Sequence, residues 1–142
     1  MKPSRHQARE VALQILYRYD IDHAGAAPVE LIDELNGHFD HFKVPDELRG
    51  FAAELVAGSV RERAQLDELI EAHASNWKIT RMSYVDRNLL RMAICELRRF
   101  PDTPPSVVID EAIELAKQFG TAESPAFING ILDAVKGALA RA

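Results

Sequence analysis

Apolar residues recur at steps of three and four along the segment 77–99, WKITRMSYVDRNLLRMAICELRR, and this spacing constrains the fold more than any other feature of the chain. Ser83 followed three residues later by Asp86 is typical of a helix N-terminus, because the hydroxyl caps a free amide and the carboxylate meets the positive end of the helix dipole. One face then carries an apolar stripe, Val85, Leu89, Leu90, Ala93, Ile94 and Leu97. Another face carries Arg87, Arg91 and Arg98. We predict a central helix with one side in the core and one cationic side.

The same helical period recurs along the rest of the chain. It covers residues 4–22, a short stretch that ends near Asn36-Gly37, one long helix over 45–75, residues 108–119, and residues 124 to near the terminus. No segment shows the alternation typical of a strand. We therefore predict an all-α fold of about seven helices, as one domain over 1–142 with sub-bundles over about 1–75 and about 76–142.

Individual proline, glycine and tryptophan residues predict where helices begin, end and pack. Proline in the first turn is expected at 105 and 125, and Gly120 should end the helix before it. Gly130 lies inside the last helix, where glycine is unfavourable, so a close contact with another helix is expected there. Trp77 is expected to be pinned between the two halves of the chain.

Composition narrows the class of protein. Of the 142 residues 47% are hydrophobic and 27% are charged, and no apolar run approaches the roughly 18 residues that a membrane span needs. The N-terminus has no apolar signal region, so a cytoplasmic protein is expected. Cys95 is the single cysteine, which excludes an internal disulfide and favours a packing role.

The net charge of −5 is unevenly distributed. Residues 1–19 carry four Lys or Arg and one acid, and residues 76–99 carry six Lys or Arg and two acids, whereas residues 20–75 are strongly acidic. If the fold brings the two basic segments together, an acidic protein gains a cationic patch suited to phosphate. An RNA partner is therefore compatible with the negative total.

The first helix carries a candidate RNA-binding flank. Its apolar stripe is Ala8, Val11, Ala12, Ile15, Leu16 and Tyr19. Beside that stripe Arg5, Arg9 and Tyr17 follow one another at helical spacing, with Lys2 and His6 nearby. Arginine or lysine would meet phosphate, and an unpaired base would stack on Tyr17. In the alternative interpretation Tyr17 is a half-buried rim residue and the arginines only solvate the helix.

Catalytic and cofactor sites are not indicated. The chain has no phosphate-binding glycine loop, zinc-ligand pattern, Ser-His-Asp arrangement or dinucleotide fingerprint. His38, Asp40 and His41 lie in a predicted connecting segment without a third well-spaced ligand, so a metal site is not expected. The acidic cluster Asp110, Glu111 and Glu114 is interpreted as a solvated face. A binding protein without enzymatic activity is predicted.

Four separated motifs resemble the NusB family of bacterial transcription antitermination proteins. They are RHQARE with LQILY at the start, DRNLLR over 86–91, IDEAIELAK over 109–117, and FINGILD over 127–133. The resemblance spans almost the whole chain and implies an all-helical fold of two small bundles. It also implies a non-enzymatic role, in which the protein pairs with NusE, a small-subunit ribosomal protein, and binds the boxA element of nascent single-stranded RNA. The pair helps RNA polymerase to read through terminators, notably in ribosomal RNA operons.

The resemblance also implies roles for individual residues. Carried over by position, the RNA-binding residues are Lys2, Arg5, Arg9, Tyr17, Arg91 and Phe127, to which the basic faces of the first and central helices add His6 and Arg87. The residues facing NusE are Tyr17, Asp86 and Glu123, with Asp86 and Arg91 near the place where RNA and NusE meet. Structural alternatives remain open at this stage: Asp86 only caps its helix, Arg91 only pairs with an acid on a neighbouring helix, and Phe127 only packs in the core.

Two other functions are weighed against antitermination. Similar helical domains precede the catalytic domain of ribosomal RNA cytosine methyltransferases, which makes an RNA-targeting domain of such an enzyme one alternative. A self-associating helical scaffold is the other, because members of the family form homodimers.

Overall fold

The computed structural model describes residues 4–22, 28–41, 43–75 and 77–141, and these residues form seven α-helices and no strand. In chain order the helices are α1 Arg5–Asp22, α2 Pro28–His41, α3 Asp46–Arg61, α4 Arg63–His73, α5 Tyr84–Arg99, α6 Pro105–Phe119 and α7 Ser124–Arg141. A short 3₁₀ turn, Ile79–Arg81, precedes α5. The all-α prediction is confirmed. No helix in the described part of the chain is long and apolar enough to cross a membrane.

The helices group into two compact units, residues 1–61 and 62–142. In the first unit α1 packs on α3 and α2, and the predicted stripe of α1 is buried. The turn between α2 and α3 is held by Arg49, whose guanidinium donates to the carbonyl oxygens of Val44 (2.8 Å) and Phe39 (3.3 Å) and to the Asp40 carboxylate (2.8 Å). Polar groups at this helix junction are thereby paired.

The second unit is built around α5, which packs against α4, α6 and α7. Every residue from Asn88 to Glu96 is buried, including the polar Asn88, Arg91 and Glu96. The predicted central helix is therefore confirmed. The prediction of a simple cationic side is wrong at Arg91, because this part of α5 has neighbours all round and the arginine lies inside the unit.

Two predictions about helix boundaries are wrong. The long helix expected over 45–75 is two helices, α3 and α4, that are interrupted at Glu62. The Glu62 carboxylate pairs there with Arg99 (3.3 Å) and more loosely with Arg98 (3.9 Å), both at the end of α5. Helix α2 also runs past Asn36-Gly37 to His41, so His38 and His41 lie on a helix rather than in a connecting segment. A break was expected over 23–28, and residues 23–27 of it lie outside the described residues. Phe42 lies outside them as well.

The helix ends follow their sequence signals. Ser83 caps α5 by accepting a hydrogen bond from the Asp86 amide at 3.1 Å, Pro105 is the first residue of α6, and the Gly120 amide donates to the carbonyl oxygen of Ala116 at 2.9 Å. Proline is favoured in a first turn because its missing amide proton would be unpaired there in any case.

Gly120 and Gly130 differ in what surrounds them. A Cβ at Gly120 would lie 2.7 Å from Cβ of Ser124 and 2.8 Å from the Ala116 carbonyl oxygen. A Cβ at Gly130 would meet nothing within 4 Å, so the prediction of a close helix contact there is wrong.

We expect opposite effects when these two glycines are replaced by alanine. Gly120→Ala should lower the free energy of unfolding by about 1 to 3 kcal/mol, because backbone must shift to admit the methyl group. Gly130→Ala should raise it by about 0.5 to 1 kcal/mol, because alanine loses less entropy in an exposed helix. Urea unfolding followed by circular dichroism measures both. Equal effects at the two positions would contradict the packing described here.

Candidate nucleic-acid interface

A surface groove of about 290 Å³ lies in the second unit. It is lined by Trp77, Arg81, Met82, Ser83, Asp86, Thr121, Glu123, Ser124 and Phe127. These residues come from the segment before α5, the first turn of α5, the turn between α6 and α7, and the start of α7. Three residues that the sequence analysis singled out separately, Asp86, Glu123 and Phe127, therefore share one groove, which we call the 77–127 groove.

The 3₁₀ turn forms one wall of the 77–127 groove. Residues three apart fall on the same side of such a turn, and Ile79 and Met82 are both buried, with 7% of each exposed. Trp77, Lys78 and Arg81 are consequently left on the outside. The turn is anchored to α4, because the Ile79 amide donates to the Glu71 carboxylate at 2.8 Å.

The turn between α6 and α7 forms the opposite wall. The Ser124 hydroxyl accepts a hydrogen bond from the Thr121 amide at 3.0 Å and lies 3.3 Å from the Thr121 hydroxyl. This turn holds Phe127 in an edge-to-face contact with Trp77, with ring centroids 6.0 Å apart and an interplanar angle of 74°. Trp77 is 51% exposed, so the prediction that it is pinned between the two halves of the chain is wrong. The groove therefore offers a π-surface to solvent.

Asp86 is the part-buried carboxylate of the groove. Its amide is capped by Ser83, but its Oδ1 atom is shielded from solvent and accepts no hydrogen bond within the described part of the chain. A shielded acceptor without a donor is unfavourable, and few occur in folded proteins. The helix cap accounts for the hydrogen bond of the Asp86 amide. It does not provide a hydrogen-bond donor for the Oδ1 atom.

Two exposed cations belong to the segment that begins at Trp77: Arg81 lines the groove together with Trp77 and Phe127, and Lys78 follows Trp77 in the sequence. Neither side chain has an ion-pair partner among the described residues. Most of the other cations in the second unit are committed, since Arg99 pairs with Glu62 and Lys117 pairs with Glu114. Lys78 and Arg81 are thus well placed to meet phosphate without first breaking an ion pair.

The two arginines of α5 that the family resemblance implicated have internal partners. Arg91 is 2% exposed and donates through Nε and Nη2 to the Asp67 carboxylate (2.7 and 3.0 Å) and through Nη1 to the Asn88 side chain (3.2 Å). The structure therefore favours the ion-pair interpretation of Arg91. Arg87 is part-buried, and its guanidinium lies 4.5 Å from the centroid of the Tyr84 ring.

The candidate flank on α1 belongs to the first unit. Arg5 and Arg9 both lie over the Phe51 ring, at 4.5 and 5.3 Å from its centroid, and Arg9 is only 4% exposed. Tyr17 is 39% exposed, and His6 is part-buried. The flank thus retains Arg5 and Tyr17 at the surface, while Arg9 mainly packs on Phe51. Lys2 lies outside the described residues.

Sequence reasoning missed Trp77, Lys78 and Arg81 as site residues. A signal was present, because a tryptophan interleaved with basic residues is a common pattern at nucleic-acid surfaces. The apolar residues Ile79 and Met82 in the same segment instead indicated packing against the core. No group of three or more His, Cys, Asp or Glu side chains in the described ranges is placed to hold a metal ion.

Comparisons with known proteins agree with this architecture. The NusB family model matches residues 6–136. The transcription antitermination protein NusB of Geotalea uraniireducens is 48% identical over 139 residues, which cover 96% of each protein. The protein of the same name from Desulforapulum autotrophicum is 46% identical over 132 residues, 93% of this chain and 90% of its own length.

Solved structures of NusB proteins are also similar to this chain. T. maritima NusB superposes with a TM-score of 0.84 and 32% identity, over 96% of this chain and 93% of its own. The antitermination factor NusB in a complex with NusE and double-stranded RNA superposes with a TM-score of 0.80 and 31% identity, over 94% of this chain and 96% of its own.

The fold and the groove define a small helical protein with an aromatic recess lined by Arg81, a cation that has no ion-pair partner in the described part of the chain. With the family model matched over most of the sequence and relatives above 45% identity, the chain belongs to the NusB family.

Proposed function

We propose that this chain is a transcription antitermination factor that binds boxA-like RNA together with NusE and supports transcription of ribosomal RNA operons. The observation that carries the proposal is the 77–127 groove, which combines exposed aromatic surface with Arg81 on a fold shared with antitermination proteins. Arg81 and the exposed Lys78 nearby in the sequence have no ion-pair partner among the described residues. The proposed role is non-enzymatic. It is also cytoplasmic, because nascent bacterial RNA is made in the cytoplasm.

Each of the two units has its own proposed RNA-binding surface. In the second unit it comprises Trp77, Lys78, Arg81 and Phe127, with Arg87 behind them. In the first unit it comprises Arg5, His6 and Tyr17, to which the sequence adds Lys2. Arg91 is left out, because extracting a buried guanidinium from a bidentate ion pair would cost more than one phosphate contact returns. Arg9 is buried and lies over the Phe51 ring, as Arg5 does, so it is not counted among the phosphate-binding residues.

Tyr17 and Glu123 are the residues that we propose for the contact with NusE. Both are exposed, and Glu123 is an acid at the rim of the groove beside Phe127. A basic ribosomal protein would be attracted to such a carboxylate, whereas phosphate would be repelled by it. Asp86, in the same groove, lies where RNA and the partner would meet.

Antitermination is favoured over the methyltransferase and scaffold alternatives. The relatives quoted above are named antitermination proteins and are matched over 90% or more of their own length. A further discriminating property is charge, since Lys78 and Arg81 find no ion-pair partner within the described ranges of an acidic protein. A scaffold that only self-associates would have no need of them.

Fluorescence anisotropy with a labelled boxA-like single-stranded RNA tests the proposal, with and without NusE. Binding should be strengthened by NusE and should be salt-sensitive. Four phosphate contacts would lower the affinity roughly fifty-fold between 50 and 200 mM salt. Duplex RNA measured in parallel shows whether unpaired bases are required. Absence of binding under every condition, or binding that does not respond to salt, would refute an RNA-binding role.

The double variant Lys78→Ala/Arg81→Ala should lose about two of these contacts. The slope of log affinity against log salt should then fall by about 1.4, and the fifty-fold salt effect should shrink to roughly sevenfold. Lys117→Ala/Lys136→Ala is the matched control, because it removes the same charge from exposed positions outside the groove. Equal slopes for both double variants would place the phosphate contacts elsewhere.

A further inference from the structure

The carboxylate of Glu71 lies against the backbone of the segment that carries Lys78 and Arg81, although its negative charge is unfavourable beside RNA. We propose that Glu71, on α4, is a positioning residue that holds this segment in the conformation in which its cations meet phosphate. The inference rests on the proposed function, because it concerns the same RNA-binding surface. It assigns to an acid a role that favours RNA binding.

The backbone amide of Ile79 is the first observation. It is the first donor of the 3₁₀ turn, and the first amides of a helical turn have no acceptor within that turn. The preceding residue, Lys78, is extended (φ −90°, ψ 150°) and provides no side-chain cap. The Glu71 Oε2 atom, eight positions earlier and on a different helix, accepts this hydrogen bond at 2.8 Å. Glu71 therefore replaces the missing local cap, and a charged acceptor makes the hydrogen bond a strong one.

The other groups of Ile79 are held as well. Its carbonyl oxygen accepts hydrogen bonds from the Met82 amide at 3.1 Å and from Nη1 of Arg87 at 3.4 Å. Its side chain is buried. Ile79 is thus linked to α4 through its amide and to α5 through its carbonyl oxygen. The link to Glu71 is the shorter of the two side-chain contacts, and it fixes the turn from the α4 side.

The chain that leads from α4 into the turn is strained. Helix α4 ends at His73, and Ser75 has a φ of 31°, in the left-handed region that favours glycine. A residue other than glycine persists in this region only when its surroundings hold it there. Trp77 and Lys78 are exposed, so burial of their side chains contributes little. The hydrogen bond between Glu71 and Ile79 closes this stretch into a loop and supplies a hold of the required kind.

Charge alone predicts the opposite role for Glu71. A phosphate bound by Lys78 and Arg81 would be repelled by a carboxylate that lies against the same stretch of backbone. If Glu71 contributed only its charge, its removal should strengthen RNA binding. If Glu71 positions the segment, its removal should weaken RNA binding, because the segment must then be ordered when the RNA binds. The sign of the effect distinguishes the two roles.

The experiment measures the affinity of the full chain for a labelled boxA-like single-stranded RNA by fluorescence anisotropy, with NusE present and at constant salt. Glu71→Ala should bind about fivefold more weakly than the wild type, because of the added cost of ordering the segment. Glu71→Gln keeps an oxygen acceptor and should bind within about twofold of the wild type. Glu68→Ala is the matched control, because it removes an exposed acid one turn earlier on α4, and it should not weaken binding.

Amide hydrogen exchange in the free protein tests the positioning itself. The Ile79 amide should be protected in the wild type and in Glu71→Gln, and it should lose this protection in Glu71→Ala. The amide of Leu90, in the buried part of α5, should stay protected in every variant. Thermal unfolding of each variant confirms that it is folded.

The contrary results separate the two proposals. Unchanged or tighter RNA binding by Glu71→Ala would overturn the positioning role and leave RNA binding intact. An equal loss of affinity in Glu71→Gln would also overturn it, because a retained acceptor would then make no difference. The same holds for an equal loss in Glu68→Ala, since the effect would not be specific to Glu71. Failure of the wild type to bind RNA would overturn the proposed function, and the positioning role for RNA with it.

Discussion

Asp67→Ala should destabilise the protein by about 3 kcal/mol, because it leaves the Arg91 guanidinium buried without its counter-ion. The Arg91 side chain is only 3% exposed, whereas that of Asp67 is 24% exposed, so water cannot replace the lost carboxylate at the arginine. The hydrogen bond that Arg91 Nη1 donates to the Asn88 side chain does not replace the lost charge. Urea unfolding followed by circular dichroism gives the change in the free energy of unfolding.

Two further variants test this explanation. Glu114→Ala removes the partner of Lys117 in an exposed ion pair and should cost less than about 0.5 kcal/mol. Replacing both partners of the pair, Asp67→Leu with Arg91→Met, should restore much of the stability, because the buried guanidinium is removed together with its carboxylate. If Asp67→Ala costs no more than Glu114→Ala, the buried pair does not support the second unit.

Trp77→Ala should weaken RNA binding about tenfold and change the stability by less than about 1 kcal/mol. Stacking of one base on an aromatic side chain contributes roughly 1 to 3 kcal/mol to single-strand binding, while half of the Trp77 side chain is already exposed in the free protein. Trp77→Phe keeps a π-surface and should retain most of the affinity. Anisotropy with a boxA-like RNA measures both variants.

Val107→Ala is the matched control for Trp77, because Val107 is another large apolar residue that is 41% exposed but lies on α6 outside the groove. It should leave RNA affinity unchanged. A Trp77→Ala variant that binds RNA normally but unfolds much more easily would show that the ring only covers Phe127.

The helical elements were predictable because their signals are local. The stripe of α1, the Ser83 cap of α5 and the first-turn proline of α6 each depend on residues within a few positions of one another. The buried Arg91 was not predictable in the same way. Its partner Asp67 lies 24 positions earlier on α4, and helical spacing alone placed Arg91 on a cationic face.

The interruption between α3 and α4 also involves residues that are far apart in the sequence. The sequence around Glu62 has no proline, and the apolar period continues through it, so one helix was expected. The observed partners of Glu62 are arginines at the far end of α5. The sequence also placed Asp86, Glu123 and Phe127 near an interface, but only the fold brings them together with Trp77 in one groove.

The fluorescence of Trp77 tests the central claim most directly, because it is the only tryptophan of the chain and lies in the proposed RNA-binding groove. Unlabelled boxA-like RNA is titrated into the protein while anisotropy of the labelled RNA is followed in parallel. We expect saturable quenching or a spectral shift of Trp77 whose midpoint matches the anisotropy curve. RNA binding by anisotropy with no change in Trp77 emission would contradict the account, since RNA would then bind away from the groove.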